Sequence, residues 1–290
     1  MTTGDPHATI TNARDEFLAM IAAIRPELHR YCARLTGSVI DGEDIVHDAL
    51  VKAFYALASA PELPPLRPWL FRIAHNAALD FLKSHGRKLT EPRAELDDVA
   101  DVDEAADPFV TRLALAQFLT LPLIQRSAVI LKDVLGHSLD ETAETMETTV
   151  MAVKAALVRG RARLRDAATT LAPVADASRG ALDRYAELFN RRDWDGVRAL
   201  VGEDCRLDLV SKAERRGKAV RQYFERYANE AVSLRVAALE GRLVLAAHVD
   251  GAAAPRYFIL VDFDGDGRVA TIRDFRYVPY IARDAELVEL

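Results

Sequence analysis

Apolar residues in the first third of the chain recur at helical spacing. Phe17, Met20, Ile21, Ile24, Leu28, Tyr31 and Leu35 fall on one stripe, and Gly37 follows as a stop. A second helix carries Ile45, Val46, Ala49, Leu50, Ala53, Phe54 and Leu57 on an apolar face, with Glu43, Asp44, His47, Asp48 and Lys52 opposite. The prolines of PELPPLRP, residues 61–68, fix their own φ and disfavour helix in the residues before them, so this is a stiff, extended loop. Pro68 fits the first turn of a third helix, WLFRIAHNAALDFLKS. That helix turns Leu70, Ile73, Ala74, Ala77 and Phe81 inward and presents Trp69, Arg72, Asn76, Asp80 and Lys83.

The pattern then stops. Residues 91–107 hold eight acids, one arginine and almost no large apolar side chains, the composition of a solvated tether. Helical periodicity returns from about Pro108. Ser138 and Glu141 form a capping box that opens a short helix ending near Met146. A tight connection at 147–149 leads into MAVKAALVRGRARLR, which carries Lys154, Arg159, Arg161, Arg163 and Arg165 and no acid. Two helices joined by so short a turn outline a helix-turn-helix. Val150, Val153, Leu157 and Leu164 then face the core, while Met151, Lys154, Ala155, Val158 and Arg159 face outward, toward a major groove.

After a small-residue linker, the last segment changes character. Two amphipathic helices (Leu182, Tyr185, Ala186, Phe189; then Trp194 to Val201) precede CRLDLV, which alternates as a strand. A helix with Val220, Tyr223, Phe224 and Tyr227 follows, then four β runs: SLRVAALE, RLVLAAHV, RYFILVDF and RVATIRDFRYV. The expected architecture is multidomain: two all-α domains, the second with a helix-turn-helix, followed by an α+β domain.

Charge and cysteine content narrow the function classes. The chain of 290 residues has a formal net charge of −6, against a histone-like, charge-driven nucleic-acid binder but not against local basic faces. It has two cysteines, too few for a disulfide framework or a cysteine zinc site. No secretory leader and no membrane-spanning run are read, so the expected compartment is the cytoplasm. DFDGDG at 262–267 invites a calcium reading, but the loop would need Glu where Arg273 stands, so a hairpin turn is expected. No HExxH, CxxC, phosphate-binding glycine loop or GxSxG motif is present, and no metal or cofactor is expected.

These residues resemble a known family. DGEDIVHDALVKAF is similar to the polymerase-binding helix of extracytoplasmic-function (ECF) sigma factors, and RPWLFRIAHNAALDFLKSHGRK to their helix for the minus-ten element. LPLIQRSAVILKDVLGHSLDETAETMETTVMAVKAALVRGRARLR is similar to their minus-thirty-five domain. The last segment resembles the cone-shaped SnoaL-like fold, which a subset of these sigma factors carries fused at the C-terminus. The implied layout is region 2 at 12–88, an acidic linker at 89–107, region 4 at 108–168, a linker at 169–178 and a SnoaL-like regulatory domain at 179–290.

The resemblance implies a bacterial, non-enzymatic transcription initiation factor whose partners are core RNA polymerase and promoter DNA. Asp41, Glu43, Asp44, Asp48 and Lys52 would dock on the polymerase. Trp69, Arg72, Asn76, Lys83, Arg87 and Lys88 would hold the opened minus-ten strand, by aromatic stacking and a basic groove. Met151, Lys154, Ala155 and Arg159 would read the minus-thirty-five element, with Arg161 and Arg163 where the helix meets phosphates. Two departures stand out: Ala156 where relatives often carry arginine, and Glu147 where glycine is common in the turn. In the C-terminal domain Asp204, Asp208, His248, Tyr257, Arg273 and Asp274 are the candidate pocket groups. Ligand sensing, or contact between this domain and the sigma domains, is expected there rather than catalysis. The rivals are a SnoaL-type cyclase or isomerase tethered to a helical domain, and a ligand-responsive repressor using only the helix-turn-helix.

Overall fold

The computed structural model describes residues 6–58, 64–85, 105–166, 178–216, 220 and 222–290. The chain divides into two compact units, Met1–Thr169 and Thr170–Leu290.

The first unit opens with a hairpin of α1 (Pro6–Thr36) and α2 (Val39–Ala58). Gly37 ends α1 as expected, with φ +77°, and its N–H bonds the Ala33 carbonyl at 2.7 Å. Ser38 caps α2, its Oγ accepting the Asp41 N–H at 3.1 Å. Gly42 lets the two helices close tightly, since a Cβ there would stand 2.6 Å from the Ala33 nitrogen. Helix α3 (Leu66–Ser84) packs across both.

The second helical group contains α4 (Leu115–Phe118), α5 (Leu123–Val129) running into a π-type turn through Val134, α6 (Leu139–Thr145) and α7 (Val150–Asp166). The capping box forms: Ser138 Oγ accepts the Glu141 N–H at 3.1 Å, and Glu141 Oε2 accepts the Ser138 N–H at 2.8 Å. The hydrogen bond from the Ser138 backbone holds the Glu141 carboxyl below the usual glutamate range. The two helical groups share one apolar core. It runs from Leu28, Tyr31 and Leu35 through Phe71 and Phe118 to Val129, Val153 and Leu157.

In the second unit α8 (Arg179–Asn190) and α9 (Trp194–Leu200) precede β1 (Val201–Leu209) and β2 (Ala213–Arg216). A 3-10 helix, Gln222–Asn229, stands where an α-helix was expected. The expected β runs follow as β3 (Val232–Leu239), β4 (Arg242–Val249), β5 (Tyr257–Phe263) and β6 (Val269–Asp274), then the short α10 (Ile281–Asp284) and β7 (Leu287–Glu289). The sheet order is β2-β1-β6-β5-β4-β3-β7, antiparallel except that β1 lies parallel to β6.

Glu240 and Gly241, both at positive φ, make the tight β3–β4 turn. DFDGDG is a hairpin turn, as expected. Asp264 Oδ1 accepts the N–H groups of Asp266 and Arg268 at 3.0 and 2.9 Å. Alternation along the strands sends Leu207, Leu209, Leu245, Ala247, Tyr257, Ile259 and Ile272 to the sheet face covered by Tyr185, Phe189, Tyr223 and Tyr227. Asn190 anchors α8 to that sheet, exchanging two hydrogen bonds of 2.9 and 2.8 Å with the Leu234 backbone.

Candidate nucleic-acid interface

Helix α2 turns only part of its expected charged face outward. Asp48 and Lys52 are exposed, and Asp41 and Asp44 are half-buried. Glu43 departs from expectation: it is fully buried and paired with Arg25, whose Nε donates to it at 3.2 Å. It is part of the α1–α2 packing, next to Gly42, where the two helices meet most closely. Phe54 departs too. It was placed on the buried stripe but is 60% exposed, beside Val51 and the 70% exposed Tyr55. The two rings meet edge-to-face at 6.1 Å. Ala49 and Ala53 fill the inward arc, leaving 51, 54 and 55 on a separate one. That i, i+3, i+4 spacing was the available signal.

On α3, Arg72 and Trp69 are half-buried, Asn76 and Lys83 are exposed, and the helical repeat puts all four on one side. Trp69 divides its surface, packing one part against the core. Arg87 and Lys88 lie outside the described residues.

The turn between α6 and α7 is a tight one. Glu147 adopts φ +51°, the Thr148 N–H reaches the Ala143 carbonyl at 2.9 Å, and Thr149 Oγ1 caps α7 through the Ala152 N–H at 3.2 Å. Along α7, Met151 and Val158 are exposed, Lys154 and Arg159 half-buried and Arg163 exposed. Two expected contacts turn inward. Ala155 is buried in the helix packing. Arg161 is buried against Asp133, its Nη2 and Nε reaching Oδ1 at 2.6 Å and Oδ2 at 3.0 Å, and Nη2 also donates to the Ala105 carbonyl at 3.0 Å. Ala156 is fully enclosed, so its departure from the family pattern falls in the core rather than on the outward face. Arg165 binds Asp107 at 2.5 Å. Two of the basic residues of α7 therefore tie the end of the acidic tether to the helix.

The C-terminal candidates separate. Tyr257 and Asp274 lie on the covered sheet face. Asp208 and Arg273 lie on the other face and pair at 3.2 Å. Asp204 is exposed. His248 also lies on that other face, buried, with Nδ1 2.9 Å from the Ala252 carbonyl. Beside the candidates Asp274 and Tyr257 stand Tyr223 and Tyr227, which strand patterning alone did not single out as site residues. Tyr223 and Tyr227 donate to Asp274 Oδ2 at 2.7 and 2.8 Å, and Tyr257 donates to the Tyr227 hydroxyl at 3.2 Å. Burial pushes the Asp274 carboxyl up, against the two phenol hydrogen bonds, and pushes Tyr257 up to about 12. A cleft of about 440 Å³ beside this knot is lined by Leu207, Leu209, Tyr223, Gln222, Arg215 and Arg226, among others.

A capped, tightly turned helix pair with an outward basic face is the architecture of helix-turn-helix DNA-binding proteins. Residues 20–88 match Sigma-70 region 2 and residues 112–164 match Sigma-70, region 4. The ECF RNA polymerase sigma factor SigM of Mycobacterium tuberculosis is 36% identical over 140 residues, covering 48% of this chain and 69% of SigM. SigG of the same species is 32% identical over 214 residues, 63% of this chain and 58% of SigG, so less than two thirds of that relative's length is spanned. The crystal structure of M. tuberculosis SigJ, an ECF sigma factor, aligns at 23% identity over 90% of this chain and 98% of that one, with a TM-score of 0.37. The chain belongs to the ECF RNA polymerase sigma factor family.

Proposed function

We propose that the chain directs core RNA polymerase to promoters. The observation that carries this is the pairing, in one helical unit, of the α3 face (Trp69, Arg72, Asn76, Lys83) with the outward face of α7 (Met151, Lys154, Arg159, Arg163). The first offers a ring and cations for unstacked bases, and the second offers side chains at the groove-facing positions of a recognition helix. Asp48 and Lys52, with the neighbouring Val51, Phe54 and Tyr55, form the polymerase-docking surface. Exposed aromatic anchors ringed by charge have the character of an interface centre. Such a factor acts in the cytoplasm, where the polymerase works.

The C-terminal unit regulates this activity, by contact with the helical unit or through a small-molecule ligand in the 440 Å³ cleft. Its Asp274 is already engaged by two phenols and the Arg276 N–H, which favours a binding or structural role over acid–base turnover. Run-off transcription with core polymerase on genomic promoter fragments tests the reading. Specific transcripts support it, and a chain ending near Ala175 gives the sign of the C-terminal contribution. Failure to transcribe together with failure to co-elute with the polymerase overturns it.

A further inference from the structure

The β1–β2 edge of the sheet sorts its charges by face. On the face away from the tyrosines, Arg206 and Arg216 each reach Glu214 at 3.0 Å, and Arg273 of β6 reaches Asp208 at 3.2 Å. Arg215 is the exception. It stands opposite Leu207 in the ladder, and residues directly opposite in an antiparallel pair share a face. Its guanidinium is therefore carried on the apolar, tyrosine-covered side, and among the described residues no carboxylate pairs with it.

Arg215 borders the cleft of about 440 Å³, whose base is formed by Leu207, Leu209 and the Tyr223 ring. Gln222, Glu225 and Arg226 of the 3-10 helix complete its rim. Arg226 Nη1 donates to the Tyr277 hydroxyl at 3.0 Å, and the Lys212 ammonium lies 4.2 Å from the centre of the same ring. Arg215, Arg226 and the nearby Lys212 outweigh Glu225, so the balance of these groups at the opening is positive. An apolar base with a few placed polar groups, in a volume of this size, is the make-up of a small-molecule site.

We propose that this cleft is a receptor site for an organic acid with an apolar body. The carboxylate is held between the Arg215 and Arg226 guanidiniums, and the hydrocarbon lies on Leu207, Leu209 and the Tyr223 ring. A charge-assisted bond to two guanidiniums sets the preference for an acid over an uncharged analogue. The Tyr223 hydroxyl donates to Asp274 at 2.7 Å, so a molecule seated on that ring presses on the link between the 3-10 helix and β6. The regulatory consequence rests on the sigma-factor reading, and the binding itself does not.

The test titrates the full chain with octanoate and with 2-naphthoate by isothermal titration calorimetry, using 1-octanol and 2-naphthol as the uncharged counterparts. One of the acids should saturate one site per chain, and its identity tells a chain-like body from a ring-like one. Its uncharged counterpart should bind about tenfold more weakly. Arg215→Gln and Arg226→Gln, both at exposed positions, should each weaken the acid to a similar degree, and Glu225→Gln should tighten it. Methyl NMR resonances of Leu207 and Leu209 should move as the site fills. The proposal is overturned if neither acid saturates a site, or if acid and uncharged counterpart bind equally. It is also overturned by arginine variants, folded by circular dichroism, that bind as the wild type does, or by shifts that spare both leucines. Run-off transcription with and without the bound acid addresses the reading separately. A transcript unchanged while calorimetry shows the site filled leaves the site standing and speaks against a ligand-regulated sigma factor.

Discussion

Arg161 and Asp133 form a buried, two-pronged ion pair, with guanidinium nitrogens 2.6 and 3.0 Å from the two carboxylate oxygens. The pair joins α7 to the turn after α5, and through Ala105 and Asp107 it also holds the end of the acidic tether. Removing one partner of a buried pair leaves an uncompensated charge, so Asp133→Ala should destabilise the first unit by about 3 kcal/mol. Arg163→Ala, at an exposed site, should leave stability unchanged and lower the salt dependence of promoter binding by about one counterion. Chemical denaturation and salt-dependent binding separate the two. Equal effects on stability would contradict the inward placement of Arg161.

Glu147 occupies a left-handed backbone position that costs a side-chain-bearing residue about 1 kcal/mol. Glu147→Gly should therefore raise the denaturation midpoint of the first unit. The substitution also removes an acid beside the amino end of α7, so on the proposed reading binding to the minus-thirty-five element should tighten. A lowered midpoint would show that the glutamate is held by more than its backbone.

His75 and His137 are buried, and burial lowers both to a pKa of about 4. His137 faces the Phe71 ring, Arg67, Glu27 and Glu141, and His75 Nδ1 meets the Tyr31 hydroxyl at 2.6 Å. Between pH 6.5 and 4 the unfolded chain binds more protons at these sites than the folded one, so stability falls as pH drops through that window. The denaturation midpoint should be lower at pH 5 than at pH 7.5. His137→Leu should reduce the difference, since neither ring nitrogen of His137 has a hydrogen-bond partner among the described residues. An unchanged pH slope in that variant would assign the effect elsewhere.

The stripes of the helices and the four β runs were legible because a buried face repeats with the period of its element. What was not legible depended on partners distant in sequence. Glu43 reads as a surface acid until Arg25 is brought beside it, and Arg161 reads as a phosphate contact until Asp133 is. Strand alternation could have separated Asp208 and Arg273 from Tyr257 and Asp274. The tyrosines that engage Asp274, by contrast, come from a 3-10 helix about 50 residues earlier in the chain. The shared core of the two helical groups was hidden by the polar tether between them, because composition marks a linker and says nothing of whether its ends meet.

Phe54 and Tyr55 are exposed, so replacing both with alanine should leave folding intact. Loss of a central aromatic anchor should weaken polymerase binding by about 2 kcal/mol, near thirtyfold. Glu43→Gln should act the other way, lowering stability through its lost partner. Unchanged polymerase affinity in the aromatic double variant would move the docking surface off this end of α2.

The most direct measurement is run-off transcription by core polymerase supplied with the full-length chain or with R72A/N76A or M151A/K154A double variants, on a promoter selected with the wild type. The account predicts a specific transcript from the wild type. The α3 variant should lose it at the step of strand opening, with the closed complex retained, and the α7 variant should lose it at promoter binding. A wild-type chain that binds core polymerase but yields no specific transcript, or variants as active as the wild type, would contradict the account.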